Sequence, residues 1–329
     1  MVTAVGTNGP DVFVNTSESD NFDGLAAYDV VNRFNMGYRS GVITTAPGTV
    51  TITSSFDTDV YTNIEQIDFL DGRLVFEPTE PLAQVTRLYF AALDRGPDQG
   101  GLNSYTAAIY QGRSLSSIAQ DFIGSSEFAQ RYGALTNDGF VEQLYLNVLD
   151  RPSDPGGKAA WVATLDAGAT RADMLVGFSE SLENQQKTAS IVTAGIWDRD
   201  ESAALVARLY DTLFGRLPDK GGLANWASAL DSGQLRPNQV AQGFIDSAES
   251  QAIYGGFPTA DTFVTALYRN TLEREPDAAG KAAWVNALDS GTLSRADVAL
   301  GFSESPEHIQ LTAATVGGEI PSQFGILFL

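Results

Sequence analysis

The apolar positions of this chain change period once. Before about residue 78 they alternate, and after residue 83 they recur at helical spacing. Residues 41–56, GVITTAPGTVTITSSF, alternate β-branched and small residues about Pro47-Gly48, which predicts a hairpin. Residues 60–76 carry Ile64, Ile67, Phe69, Leu74 and Val75 with a turn at Asp71-Gly72, which predicts a closing strand pair. Glu77-Pro78-Thr79-Glu80-Pro81 reads as a short stiff linker. Beyond it, Leu88-Tyr89 to Leu93, Leu144 to Leu149, Leu209 to Leu213 and Leu267 to Leu272 each have the spacing of a helix face. The expected fold is a multidomain β + α chain: a short N-terminal β domain, then an all-α array of four related helical modules.

Those four helices head one repeated frame: LYFAALDRGPDQGGLNSYTAAIYQG from Leu88, LYLNVLDRPSDPGGKAAWVATLDAG from Leu144, LYDTLFGRLPDKGGLANWASALDSG from Leu209 and LYRNTLEREPDAAGKAAWVNALDSG from Leu267. The first and third copies share GGL, the second and fourth share GK-AAW and FSES, so a two-module block is duplicated. In each copy the helix meets Arg-x-x-Asp: Arg95/Asp98, Arg151/Asp154, Arg216/Asp219 and Arg274/Asp277. Pro97, Pro218 and Pro276 stop the first helix, and the Asp is placed to cap a second. Tyr105, Trp161, Trp226 and Trp284 follow the Asp at a constant offset and are expected to be the buried centre of each module. Gly112, Gly168, Gly233 and Gly291 stand where a left-handed residue would end that helix. A third segment carries Phe122, Phe178, Phe244 and Phe302, each followed by Ser-x-Glu (Ser125, Ser181, Ser247, Ser305). Residues 133–140 and 255–261 read as joints, and 188–202, with Trp197, as the seam between blocks. The expected domains are 1–78, 83–194, 195–316 and a tail, 317–329.

Over roughly residues 83–316 this frame resembles the DUF4214 family, a helical module of bacterial secreted and surface proteins that itself looks distantly like phycobilisome linker modules. The resemblance implies a location, outside the cell or on its surface, and no chemistry.

The first thirty residues hold a nine-residue register. Gly6-Thr-Asn-Gly9-Pro-Asp11-Val-Phe13-Val matches the calcium β-roll nonapeptide except at its second glycine. Asp20 and Phe22 fall in register nine residues on, and Gly24, Asp29 and Val31 nine further. This resembles the RTX, or haemolysin-type, β-roll, in which alternate turns stack on one side. The resemblance implies a calcium ion shared by Asp11 and Asp29, with Asp20 on the opposite side and the turns at Gly6, Gly9 and Gly24 adding carbonyl oxygens. The same residues also suit ordinary Asx-turns that need no ion. The run Ile64-Glu-x-Ile-x-Phe-x-Asp-Gly-x-Leu74 looks like the flank that accompanies such repeats.

Charge and composition narrow the functions. Lys+Arg 20 against Asp+Glu 41 gives −21, which argues against nucleic acid and suits divalent cations. There is no cysteine and one histidine, His308, so thiolate sites and multi-histidine zinc sites are excluded. The stretch MVTAVGTNGPD has no basic n-region and no long apolar h-region, so no classical signal peptide is expected there, and no window reads as a transmembrane run. The apolar end, Phe324, Ile326, Leu327, Phe328 and Leu329, looks like a type I secretion signal; packing against the last module is the other reading.

Three constellations invite chemistry. Asp94/Asp98 and Asp150/Asp154 form calcium-loop-like pairs, but the first acid is Gly215 and Glu273 in the other copies, which favours capping by the second Asp. The tryptophans suit sugar stacking less well than module cores. Asp57/Asp59 and Asp68/Asp71 fix no separation across a cleft, and no catalytic motif is present. The expectation is a non-enzymatic extracellular structural protein with structural calcium, self-assembling or attaching at the bacterial surface as a surface-layer or matrix component. Its partners would be itself, a cell-surface polysaccharide and a type I exporter. A glycan-binding adhesin and the non-catalytic part of a secreted enzyme system are the alternatives.

Overall fold

The computed structural model describes residues 1–255 and 259–329; Gly256, Phe257 and Pro258, within the expected joint 255–261, lie outside the described residues. The described chain opens with β1 (Val2–Val5), β2 (Val12–Val14), β3 (Asp20–Asp23), β4 (Val30–Arg33), β5 (Val42–Ala46), β6 (Thr49–Thr53), β7 (Thr58–Thr62), β8 (Gln66–Phe69) and β9 (Gly72–Val75). One sheet has the order β1-β3-β7-β6-β5, and a second the order β10-β9-β8-β4-β2, where β10 is Ile196–Arg199.

The first sheet gives the nine-residue register its meaning. β1 and β3 are parallel with Val2 opposite Asp20, an offset of 18, so two nine-residue half-turns make one coil. β3 and β7 are also parallel, but Asn21 lies opposite Val60, an offset of 39 instead of 18. The 21 extra residues loop out as a 3₁₀ turn, Tyr38–Ser40, and the β5–β6 hairpin. That hairpin turns at Pro47-Gly48 as expected; Gly48 has φ 69, the left-handed value glycine supplies at this turn. Between β8 and β9 the loop is Leu70-Asp71, and Gly72 opens β9. Phe13, Phe22 and Val31 point inward. Phe13 stacks on Phe22 at 5.0 Å and Phe22 on Tyr61 at 5.7 Å, an aromatic ladder along successive coils.

Each module has four helices. Module 1 is α1 (Pro81–Leu93), α2 (Gln99–Tyr110), α3 (Leu115–Ile123) and α4 (Ser126–Tyr132). Module 2 is α5 (Asn137–Leu149), α6 (Pro155–Asp166), α7 (Arg171–Ser179) and α8 (Leu182–Ala194). Module 3 is α9 (Glu201–Phe214), α10 (Lys220–Asp231), α11 (Pro237–Ile245) and α12 (Ala248–Tyr254). Module 4 is α13 (Ala260–Thr271), α14 (Ala278–Asp289), α15 (Arg295–Ser303) and α16 (Pro306–Val316).

The chain forms two compact units, one of residues 1–31, 43–67 and 74–198, the other of residues 32–42, 68–73 and 199–329. In the first, α3 and α1 pack on α7, and α1 on α5; in the second, α11 and α9 pack on α15, and α9 on α13. The same buried polar links recur. Arg87 of α1 pairs with Glu180, and Arg208 of α9 with Glu304. Asn147 donates to the Tyr132 hydroxyl, and Asn270 to that of Tyr254. Duplication of a two-module block, read from the sequence, is therefore repeated in the packing.

One expectation is corrected. Trp161, Trp226, Trp284 and Tyr105 are half-buried and lie against the cores instead of forming their centres. The buried centre is the phenylalanine of the third helix: Phe122, Phe178, Phe244 and Phe302. Each tryptophan ring covers it, at 5.2 Å for Trp161–Phe178, 5.5 Å for Trp226–Phe244 and 5.4 Å for Trp284–Phe302. An indole is too large to fit wholly between helices this short, so one edge stays at the surface. The fully buried tryptophan is Trp197, on β10.

In the second unit the tail is docked. Ile326 is buried, Leu327 donates its N–H to the Thr315 carbonyl at 2.8 Å, and Leu329 donates to Pro218 at 3.2 Å. Asp71 accepts the N–H of Tyr38 at 2.9 Å and of Ile326 at 2.6 Å, and Arg39 donates to the carbonyls of Phe324 and Ala314.

Candidate functional site

Coils of 18 residues bring alternate turns to one side, so Asp11 and Asp29 become neighbours. The Asp11 N–H donates to Oδ1 of Asp29 at 2.7 Å. The next turn on that side brings Glu65, whose carboxylate accepts the Asp29 N–H at 2.8 Å. Asp20 lies on the other side, where its N–H donates to Asp59 at 2.8 Å. Each side thus carries a ladder of acids in which one residue's backbone N–H binds the next residue's carboxylate.

The turns themselves are Asx-like. Asp11 accepts the N–H of Thr7 at 2.5 Å and its hydroxyl at 3.0 Å; Asp20 accepts both groups of Thr16 at 2.7 and 2.9 Å. Gly6 and Gly24 are needed for closeness. A Cβ on Gly6 would lie 2.6 Å from Asp11 Oδ2 and 3.0 Å from the Gly24 carbonyl, and one on Gly24 would strike Asp29 Oδ2 and the Asn63 carbonyl. Gly9 receives a hydrogen bond from Thr7 at its carbonyl and has no close neighbour that a Cβ would displace. In the turn from Gly24 to Asp29, Leu25 and Ala27 have φ 70 and 88, left-handed values at positions where the nonapeptide has glycine.

The electrostatics single out Asp29. It is fully buried, and its Oδ2 has no hydrogen-bond partner among the described residues. Burial pushes its carboxyl above the ordinary range, the Asp11 N–H opposes this, and the Asp11 and Asp23 carboxylates add to it. Burial likewise raises Glu65, with Asp29 and Glu77 adding like charge. The available donors are carboxylate and carbonyl oxygens, the set a hard cation prefers. Among the described residues no group of three or more acids or histidines is arranged around one point, so a cation here would draw on Asp11, Asp29 and the carbonyls beside Gly6 and Gly24.

The Arg-x-x-Asp motifs do different work. Asp98, Asp154, Asp219 and Asp277 cap α2, α6, α10 and α14, accepting the N–H of Gly101, Gly157, Gly222 and Gly280. Each Arg pairs with the Glu of its module's Ser-x-Glu: Arg95–Glu127 at 2.7 Å, Arg151–Glu183 at 3.4 Å, Arg216–Glu249 at 2.6 Å and Arg274–Glu307 at 2.9 Å. The guanidinium holds Glu127, Glu249 and Glu307 below the usual carboxylate range. It also lies 4.8–5.2 Å above the ring of Tyr89, Tyr145, Tyr210 or Tyr268. The variable first acid is the left-handed residue after the first helix: Asp94, Asp150 and Glu273 have φ 50, 51 and 50, and Gly215 has φ 62. A left-handed position explains why glycine replaces the acid there.

Three of the paired acids of residues 57–71 are engaged in local hydrogen bonds. Asp57 accepts from the Ser54 hydroxyl, Asp59 is buried on the Asp20 N–H, and Asp71 is buried on two N–H groups. Sequence reasoning missed Asp59 and Glu65 as ladder members because the inserted hairpin breaks the count of nine. The signal was present in part: Glu65 follows Asp29 by 36 residues, a multiple of nine, although the insertion leaves it one coil away and not two.

His308 is fully buried, its ring nitrogens 2.8 Å from the Ser303 carbonyl and 2.9 Å from Asp211 Oδ2. Asn184 takes the same place in module 2, donating to the Ser179 carbonyl. The histidine therefore reads as a buried structural link. No helix among the described residues is long and apolar enough to cross a membrane.

The family described as "Domain of unknown function (DUF4214)" matches residues 119–188, 199–254 and 241–312, together more than half of the chain. No curated protein matches it. Two matched segments start inside α3 and α11, so the family's frame runs from the third helix of one module through the next.

Proposed function

Since the chain belongs to the DUF4214 family, whose description names no activity, we propose a structural role: a non-enzymatic extracellular protein that assembles or attaches at the bacterial surface, its β domain set by calcium. The observation that carries the reading is the buried, unpartnered Oδ2 of Asp29, one coil from Asp11 in a chain of charge −21. A carboxylate in that position is costly without a cation, and calcium is abundant outside cells and scarce within them. The RTX-like reading of the coils belongs to the same proposal. So does export by a type I system, with the tail as signal before folding and as a docked segment after it. Electron microscopy of the purified chain with millimolar calcium and with chelator tests the proposal. Sheets or filaments only with calcium support it; monomers under both conditions overturn it.

The half-exposed tryptophans favour one second reading, a glycan-binding adhesin that stacks sugars on Trp161, Trp226 and Trp284. A glycan array probed with the monomer decides it, and binding unchanged in Trp161→Ala/Trp226→Ala/Trp284→Ala rules it out.

A further inference from the structure

We propose that the first coil, residues 2–14, is a contact for a second copy of this chain, made by edge pairing of β1 and β2 with their counterparts. The inference rests on the assembly reading for its setting and names one contact within it. β1 is the outermost strand of the first sheet and β2 that of the second, so both sheets end on one coil. The inner side of this coil is occupied. Val2 donates to the Ser19 carbonyl at 3.0 Å, Gly6 to Asp23 at 2.7 Å, and the Asp11 carbonyl accepts the Val30 N–H at 3.0 Å. In a parallel ladder alternate residues bond the same neighbour, so the backbone groups of Thr3, Val5, Val12 and Val14 face away from β3 and β4. The side chains of Val5, Val12 and Val14 are 64, 65 and 68 % exposed.

The occupant follows from charge. A chain at −21 repels its own copies, so close approach between two of them selects a neutral patch. From Val2 to Val14 the one charged side chain is Asp11, and its carboxylate is turned back onto Thr7. Edge strands are ordinarily guarded by lysine or inward charge, and β1 and β2 carry neither. A two-fold axis normal to both sheets sets β1 against its copy and β2 against its copy, each pair antiparallel, in a self-complementary contact that closes on two chains. Strands of four and three residues span about 13 and 10 Å. That is short of a standard interface, so the pairing is weak in dilute solution and strong only where copies are already concentrated.

Sedimentation equilibrium of the full chain in calcium, from micromolar to millimolar protein, is the test. The wild type is expected to pass reversibly from monomer to dimer. Thr3→Pro/Val12→Pro removes outward donors only, and Val5→Lys/Val14→Lys adds edge charge; both are expected to lose the dimer with melting unchanged. Where the proline variant melts early, the lysine variant decides. A wild type that stays monomeric throughout, or a dimer undiminished in the lysine variant, overturns the contact. A dimer without sheets or filaments under the microscope supports the contact and overturns the assembly reading. Sheets from a chain that shows no edge dependence overturn the contact and leave the assembly reading standing.

Discussion

The left-handed residue that closes the first helix of each module offers an internally controlled experiment. Glu273 holds φ 50 and Gly215, its counterpart, φ 62. An L-residue in the left-handed region costs about 1–2 kcal/mol, and glycine's greater freedom in the unfolded chain returns about 0.4–1 kcal/mol of that difference. Glu273 is exposed, with no ion pair or side-chain hydrogen bond to lose among the described residues. Glu273→Gly is therefore expected to stabilise by about 0.5–1 kcal/mol. A Cβ on Gly215 meets nothing within 4 Å, so Gly215→Ala isolates the backbone and should destabilise by about the same amount. The double variant should return close to wild type, since the two sites share no partner. Both lie in the unit containing residues 199–329, so calorimetry of the full chain reads them in one transition, shifted by about 1–4 °C in opposite directions. Hydrogen exchange assigns that transition, because a chain of two units need not melt in one step. At Asp150 the same change should come out near zero, since it also breaks the Lys187–Asp150 pair at 2.7 Å. A neutral Gly215→Ala together with a destabilising Glu273→Gly would refute the left-handed-cap account.

Four further outcomes are expected. Phe244→Ala should cost about 3–5 kcal/mol and Trp226→Ala clearly less, by denaturant titration; the reverse order would return the tryptophan to the module's centre. Calcium at about one hundred times its dissociation constant should stabilise the chain by roughly 2.7 kcal/mol, and Asp29→Asn should abolish the shift in melting temperature; a full shift in the variant leaves the Asx-turn reading as the better one. Asp71 and Asp200 are raised by burial from 3.8 to about 6, so the folded state holds their protons more tightly than the unfolded chain does. Their contribution favours folding at low pH and declines as pH rises from about 4 to about 6, by about 2–3 kcal/mol for Asp71 and less for the partly exposed Asp200. Asp71→Asn should flatten that slope relative to wild type, and parallel pH profiles would count against it. Deleting residues 317–329 should trap the chain in a host carrying a type I exporter; unimpaired export would remove the tail from the signal.

Local rules made much of the fold legible. Asp capping, the glycine after the second helix and the Ser-x-Glu start are contained within a few residues, and each stands where the sequence placed it. The Pro47-Gly48 hairpin and the inward Phe13, Phe22 and Val31 were legible for the same reason. What failed was long-range. Nothing near Arg95 says that its partner is Glu127, 32 residues on, or that the glycine three residues past each capping Asp is there to clear a tyrosine hydroxyl. The tryptophans looked central because their spacing is constant, but constant spacing fixes a face of a helix and not its depth. On the candidate site the register of nine put Asp11 beside Asp29 and Asp20 on the other side, and the hydrogen bonds follow that arrangement. It lost Asp59 and Glu65 at the insertion, where counting along the chain no longer measures distance across the coil.

The links Arg87–Glu180 and Arg208–Glu304 join the first helix of one module to the third-helix end of the next, never to its own. Each latch around Arg95, Arg151, Arg216 or Arg274 is complete inside a single module; this bond is complete only in a pair. An array of this kind therefore grows in even steps. A recombination that added or removed one module would leave a buried guanidinium or its carboxylate without a mate, along with an uncovered third helix. Relatives of differing length should then differ by two modules at a time, with odd numbers found only where another element supplies the missing half.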